Sequence, residues 1–355
     1  MTEVLRTPRL SLGPRLEAFE QALAAYVGVA QAVAVSSGTA ALHLCLRALG
    51  IGPGDEVIVP SFAFIAVANA VRYVQAIPVF ADIEAATLNL DPARAEAAIT
   101  PKTRAIIVVH TFGVPADLAA LGDIARQHGL LLIEDACEAL GSECEGRPVG
   151  SFGDAAVFGF YPNKQLTTGE GGAVVVRDRA VAGAVRSLRN QGREDEGRGS
   201  LHEAIGYNYR LPEMNCALGL EQLKRIEEIV ATRESIARRY RALLEGNSDI
   251  ELPAACGPRD RISWFAFVVR VAQHRTQRRD RLIEQMTARG IACGRYFQPI
   301  HLQPAWRDEP HRSAGLDVTV AQAQRTIALP FFNRITDAQV EEVALALAEL
   351  AANLR

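Results

Sequence analysis

The 355-residue sequence predicts an α/β fold: a large domain on a mostly parallel sheet, then a smaller C-terminal α/β domain. Three observations lead there. Apolar runs at 32–35, 56–60, 77–80, 105–109 and 130–133 alternate with stretches of helical period, the spacing of right-handed βαβ crossovers. The length allows a large core plus a smaller one. The cluster Gly246-Asn247-Ser248 interrupts the pattern and divides the chain into residues 1–245 and 246–355.

Taken in order, Leu16 to Tyr26 reads as an amphipathic helix and Ala32 to Val35 as a strand. Ser36-Ser37-Gly38-Thr39 breaks that strand before the helical run Ala40 to Leu46. Strand, small-residue turn and helix together aim free backbone N–H groups at a phosphate. The turn is neither a G-x-G-x-x-G fingerprint nor a P-loop. Gly52-Pro53-Gly54-Asp55 is a turn, Glu56 to Pro60 a strand leading into Ser61-Phe62-Ala63-Phe64, and Ile65 to Val71 a helix. A further helix, Leu118 to Gln127, lies between the strands at 105–109 and 130–133. Parallel sheets gather ligands at the carboxyl ends of their strands. Ser37-Gly38-Thr39, Phe64, His110 and Glu134-Asp135 all fall at such ends.

Asp135 closes the apolar run Leu130 to Glu134. A carboxylate there needs a partner, which a protonated pyridine nitrogen would supply; capping the next element is the other duty open to it. Glu138 faces the same side if the chain turns helical. The run Val157 to Phe160 then ends in a Pro162-Asn163 turn that presents Lys164, followed by Thr167-Thr168-Gly169-Glu170-Gly171-Gly172 and the strand Val174 to Val176. Lysine is scarce: Lys102, Lys164 and Lys224 are the only three. Lys102 belongs to an exposed turn after Thr100-Pro101, and Lys224 to the solvated side of a helix among Glu221, Arg225, Glu227 and Glu228. Lys164 reads either as a surface lysine in a hairpin-like loop or as the covalent anchor of an aldehyde cofactor, a duty arginine cannot perform.

Ala180 to Leu188 is helical, and the charged stretch Gln191 to Ser200 reads as a mobile surface loop. Gly206-Tyr207-Asn208-Tyr209-Arg210 is a polar-aromatic cluster ahead of helices over 213–229 and 231–244. The small domain has a strand at 263–271, a helix at 278–289, the segment Tyr296 to Trp306, and a closing helix opened by Thr336 and Gln339 as a capping box.

Composition excludes several classes. Apolar residues make up 49% and the formal charge is −3, with no basic tail for nucleic acid. No apolar run reaches membrane-spanning length and no signal-peptide pattern opens the chain. The six cysteines form no CxxC pair and no metal-ligand spacing, so they read as reduced thiols. The expectation is a cytoplasmic protein without a metal.

A phosphate turn, a strand-end aspartate and an isolated lysine are the parts that pyridoxal 5′-phosphate (PLP) chemistry requires. Phe64 offers a face for the ring or packs in the core. The stretches "LSLGPRLEAFE", "AVSSGTAALHL", "GDEVIVPSFAF", "VHTFGVPADL", "IEDACEALG", "FYPNKQLTTGEGG", "GYNYRLPEMN" and "ISWFAFVVR…YFQPIHLQPAW", in this order, resemble the DegT/DnrJ/EryC1/StrS sugar aminotransferases over nearly the whole length. The resemblance implies the fold-type-I PLP-dependent transferase architecture. By position it makes Lys164 the Schiff-base lysine and proton shuttle, Asp135 the partner of the pyridine nitrogen, and Glu138 the neighbour of the ring hydroxyl. Gly38 and Thr39 match the phosphate turn, and Phe64 matches the aromatic stacked on the ring. Asn208 matches a residue that reaches the neighbouring subunit's cofactor, implying a homodimer with shared sites. Tyr296 and His301 fall in the segment that helps form the sugar-nucleotide pocket.

Three departures from the family pattern stand out. Gly159 replaces a phosphate-binding serine, so that contact is lost or made by another group. Glu138 replaces a glutamine or histidine and, with the TTGEGG loop, resembles the perosamine-synthase-like branch. The chain also begins close to "LSLGP", so either a segment over the active site is missing or the true start lies upstream. The implied reaction moves an amino group from L-glutamate to a nucleotide-linked 4-keto-6-deoxyhexose. A 3-keto sugar or a keto-cyclitol is the alternative acceptor, and a related dehydratase is disfavoured because such enzymes have histidine at the lysine position. A non-catalytic sensor on the same fold would have no use for an intact Lys164 and Asp135.

Overall fold

The computed structural model describes residues 1–193, 201–255, 257–272 and 278–353. Most of the loop expected at 191–200, and Cys256, lie outside the described residues. The chain opens with α1 (Thr2–Leu5), α2 (Pro14–Val27), β1 (Gln31–Val35), α3 (Gly38–Ala48), β2 (Glu56–Pro60), α4 (Ala66–Tyr73) and β3 (Ile77–Ala81). Then come α5 (Pro92–Ala97), β4 (Thr103–Val109), α6 (Leu118–His128), β5 (Leu131–Asp135), the small hairpin β6 (Glu143–Cys144) and β7 (Arg147–Pro148), β8 (Ala155–Gly159) and β9 (Gly172–Val176). After α7 (Arg179–Arg189), α8 (Glu213–Leu223) and α9 (Ile226–Leu244) follow β10 (Ile250–Glu251), β11 (Phe267–Val271) and α10 (Arg279–Ala288). The last elements are β12 (Arg312–Ser313), α11 (Asp317–Ala323), β13 (Thr326–Leu329) and α12 (Asp337–Asn353).

Eight strands form one sheet in the order β1-β9-β8-β5-β4-β2-β3-β12. The run from β8 to β12 is parallel, and β9 runs antiparallel to both β8 and β1. Burial on both faces explains why these strands read as unbroken apolar runs. In β4, Ala105, Ile107 and Val109 join the core under α3 and α4, while Ile106 and Val108 join the one under α6. A second, three-stranded sheet, β10-β11-β13, shares a separate core with α9, α10 and α12, built from Tyr240, Phe267, Met286 and Leu347.

Two boundaries differ from the expectation. The break between the helices of 213–244 falls at 224–225 instead of 230. Ile226 and Val230 are both needed in the core that holds Leu223, and an exposed Arg225–Glu228 pair at 2.9 Å closes the new first turn. The strand expected at 263–271 begins only at Phe267, because Trp264 adopts φ 52° and takes Ser263–Ala266 out of the strand. The expected capping box is present: Thr336 N–H donates to Gln339 Oε1 at 2.9 Å, and Gln339 N–H donates to Thr336 Oγ1 at 3.2 Å.

Candidate active site

A cavity of about 310 Å³ opens at the carboxyl ends of the parallel strands. Its floor is the turn from β1 into α3. Ser37 caps that helix, its Oγ accepting the Ala40 N–H at 3.0 Å, and its carbonyl accepts the Ala41 N–H. The N–H groups of Gly38 and Thr39 have no acceptor among the described residues, as expected at a helix start. The turn depends on close backbone approach. A Cβ on Gly38 would lie 3.0 Å from Cys137 Sγ and 3.3 Å from Gly159 Cα, and one on Gly172 would lie 2.5 Å from the Ser37 carbonyl carbon. Gly159 yields its space to the Cys137 thiol, since a Cβ there would sit 3.3 Å from that sulfur. A serine side chain at position 159 would therefore crowd that sulfur.

Asp135 ends β5 in the cavity wall, and its Oδ1 accepts the Cys137 N–H at 3.1 Å. Glu138 projects from the following turn, and its Oε2 accepts the Phe112 N–H at 3.0 Å. Lys164 comes from the loop between the antiparallel neighbours β8 and β9, and its Nζ lies 3.3 Å from Glu138 Oε1. Burial pushes the Asp135 carboxyl up from its ordinary range, and the Cys137 hydrogen bonds and nearby Lys164 only partly offset this. Burial raises Glu138 too, against Lys164 and the Phe112 N–H. Two buried carboxylates thus share one lysine, which leaves them one positive charge short among the described residues.

The remaining wall is aromatic. Phe64 is 63% exposed at the mouth, while Phe265, Tyr296 and Phe297 form one side. Phe265 and Phe297 carry no sequence signal of a binding role. Phe265 lies in a stretch that reads as the start of a strand, and only the break at Trp264 turns its ring to the cavity.

Not every expected residue meets here. His110 is buried away from the cavity, its Nε2 3.2 Å from Glu134 Oε2 and its Nδ1 accepting the Ala116 N–H at 3.1 Å. Glu134 also accepts the N–H groups of Gly150, Phe152 and Gly153, so this pair braces loops and does not face a ligand. His301 lies outside the lining residues, with its Nδ1 2.7 Å from Ser61 Oγ. Asn208 is exposed outside the cavity of its own chain, in an antiparallel bridge with Asn190. It does not cap α8, whose N-cap is Pro212. Lys102 and Lys224 are exposed, the latter 2.6 Å from Glu221.

The donor set fits PLP. Free N–H groups at the start of α3 suit the phosphate, the under-neutralised Asp135 suits a protonated ring nitrogen, and the one cavity lysine suits the aldehyde.

Comparison with known proteins agrees with this geometry. The DegT/DnrJ/EryC1/StrS aminotransferase family model matches residues 1–348. GDP-perosamine synthase of Caulobacter vibrioides is 41% identical over 95% of this chain and 90% of that protein. The dTDP-3-amino-3,4,6-trideoxy-alpha-D-glucose transaminase of Streptomyces venezuelae is 40% identical over 99% of this chain and 91% of that protein. Among solved structures, S. venezuelae DesV superposes with a TM-score of 0.93 at 40% identity, covering 100% of this chain and 94% of that one. The chain therefore belongs to the DegT/DnrJ/EryC1/StrS aminotransferase family and is a PLP-dependent aminotransferase.

Proposed function

We propose that this enzyme moves an amino group from L-glutamate to a nucleotide-linked keto-sugar, with a 4-keto-6-deoxyhexose as acceptor. The observation that carries this reading is Lys164 in the cavity beside Glu138, in a chain 41% identical to a GDP-perosamine synthase. When bound, the cofactor's ring draws electrons from the substrate carbon that gains or loses nitrogen. Lys164 would hold the cofactor covalently and, once released from it, would carry a proton on its Nζ as the acid and base of the reaction. Asp135 would keep a positive charge on the ring nitrogen, and Glu138 would stand near the ring hydroxyl. Gly38 and Thr39 would donate their N–H groups to the phosphate, Phe64 would cover the ring, and Tyr296 would line the sugar side. His301 serves that side indirectly, fastening its segment to Ser61. Residues 1–245 carry the cofactor and residues 246–355 close over it, in a cytoplasmic homodimer. Among the described residues no helix is long and apolar enough to cross a membrane.

The second reading, a 3-keto acceptor, is supported by the near-equal identity to the 3-amino-sugar transaminase. A panel of nucleotide-linked 3-keto and 4-keto sugars, each incubated with glutamate, separates the two by mass spectrometry. Amination of the 4-keto members is the expected result. Amination confined to 3-keto members overturns the choice of acceptor, and a cofactor spectrum unmoved by glutamate overturns the donor.

Shared sites give a further expected result. Asn208 of each chain would serve the cofactor held by the other chain's Lys164, reciprocally across a two-fold axis. Lys164→Ala and Asn208→Asp chains should each be weak alone, the second because its carboxylate repels the phosphate. Refolded together in equal amounts, they should recover about a quarter of wild-type activity, since half the dimers are mixed and each has one intact site. No recovery, with mixed dimers demonstrated, would remove Asn208 from a shared site.

A further inference from the structure

The amine of Lys164 has a built place to rest. Its Nζ lies 3.3 Å from Glu138 Oε1 and 4.0 Å from the centre of the Phe265 ring, and its side chain is 15% exposed. Both groups are held by buried contacts that reach back to the lysine's own loop. Gln165, the next residue, donates from Nε2 to the Glu138 carbonyl at 2.6 Å and to Ser263 Oγ at 2.8 Å. Its amide has two N–H donors, and both are used. Ser263 in turn meets Ser142 Oγ, through its hydroxyl at 2.8 Å and its backbone N–H at 3.0 Å. The Phe265 N–H donates to the Phe112 carbonyl at 3.0 Å. Gln165, Ser142 and Ser263 are each buried. One amide therefore ties together the backbone beside Lys164, the backbone of Glu138 and the segment that carries Phe265.

A lysine that anchors a cofactor and also carries protons spends part of each cycle detached. Left loose, its four-carbon chain would have to surrender rotamer freedom on every return. We propose that Glu138 and Phe265 form a berth that receives the Lys164 amine whenever it is not bonded to the cofactor, and that Gln165 is the positioning residue that sets this berth. The carboxylate supplies the charge, and the ring face supplies a cation–π contact and excludes water. The proposal rests on Lys164 being the covalent anchor.

The test uses cofactor-free protein, in which Lys102 and Lys224 are exposed internal references. Reductive methylation with trace formaldehyde and cyanoborohydride, read by peptide mass spectrometry, gives the reactivity of Lys164 relative to Lys102. An amine held by a carboxylate and covered by a ring should react more slowly than the exposed one. Phe265→Leu should raise the ratio about fivefold, and Phe265→Tyr should return it to the wild-type value. Gln165→Met, similar in length but without donors, should also raise it, and serves as the reading if the leucine variant fails to fold. An unchanged ratio in a folded Phe265→Leu or Gln165→Met protein overturns the berth. Because no cofactor is present, this result is independent of whether borohydride mapping finds the cofactor on Lys164.

Discussion

Lys164→Ala should abolish turnover, with a loss in kcat of at least about four orders of magnitude, while the protein still folds. Covalent attachment and the proton shuttle disappear together, and no other lysine can take over. Lys102 and Lys224 are exposed outside the cavity. Glu138 loses its cation in this variant but keeps the Phe112 N–H, and its carboxyl, already raised by burial, is raised further without the lysine. Lys164→Arg should fail equally, because a guanidinium stays protonated and cannot bond the aldehyde. Borohydride reduction of the loaded wild type, followed by peptide mapping, should find the pyridoxyl group on Lys164. Finding it on Lys102 or Lys224 would sink the assignment.

The sheet was legible because its strands are buried on both faces and its crossovers are short. The runs at 56–60, 105–109 and 130–133 lie within a residue or two of β2, β4 and β5. The placement of Lys164 and Asp135 in the cavity is legible for chemical reasons, one as a rare residue on a glycine-rich loop and the other as a charge ending an apolar strand. The glutamate before Asp135 falls at the same strand end, yet His110 and three backbone N–H groups claim it. Sequence position alone could not tell which of two adjacent carboxylates faces the cavity; strand pleating decides that. Phe265 was hidden by the opposite problem. Phe267 to Val271 set a strand pattern that reads as continuous with Ser263–Ala266, and a positive φ at one tryptophan leaves no mark in composition. The role of Cys137 beside Gly38 and Gly159 was equally invisible, since it depends on three segments far apart in sequence meeting within van der Waals distance.

Asp135→Asn should retain cofactor and fold yet lose about 10³-fold in kcat, roughly 4 kcal/mol of barrier. The substitution separates the two duties that the sequence left open. Asparagine keeps an oxygen for the Cys137 N–H, now accepted by Asp135 Oδ1 at 3.1 Å, so a purely capping role would survive it. What it removes is the charge. Burial raises the Asp135 carboxyl, so the ionised form is costly without a cationic partner, and a protonated ring nitrogen is the partner that relieves it. An amide can accept a hydrogen bond from that nitrogen but cannot hold its proton by charge. The loss should therefore fall on kcat, with a smaller change in the concentration of PLP needed to reconstitute the variant and a melting temperature within a few degrees of wild type. Near-normal turnover with an unchanged fold would reduce Asp135 to a cap on the turn that follows β5.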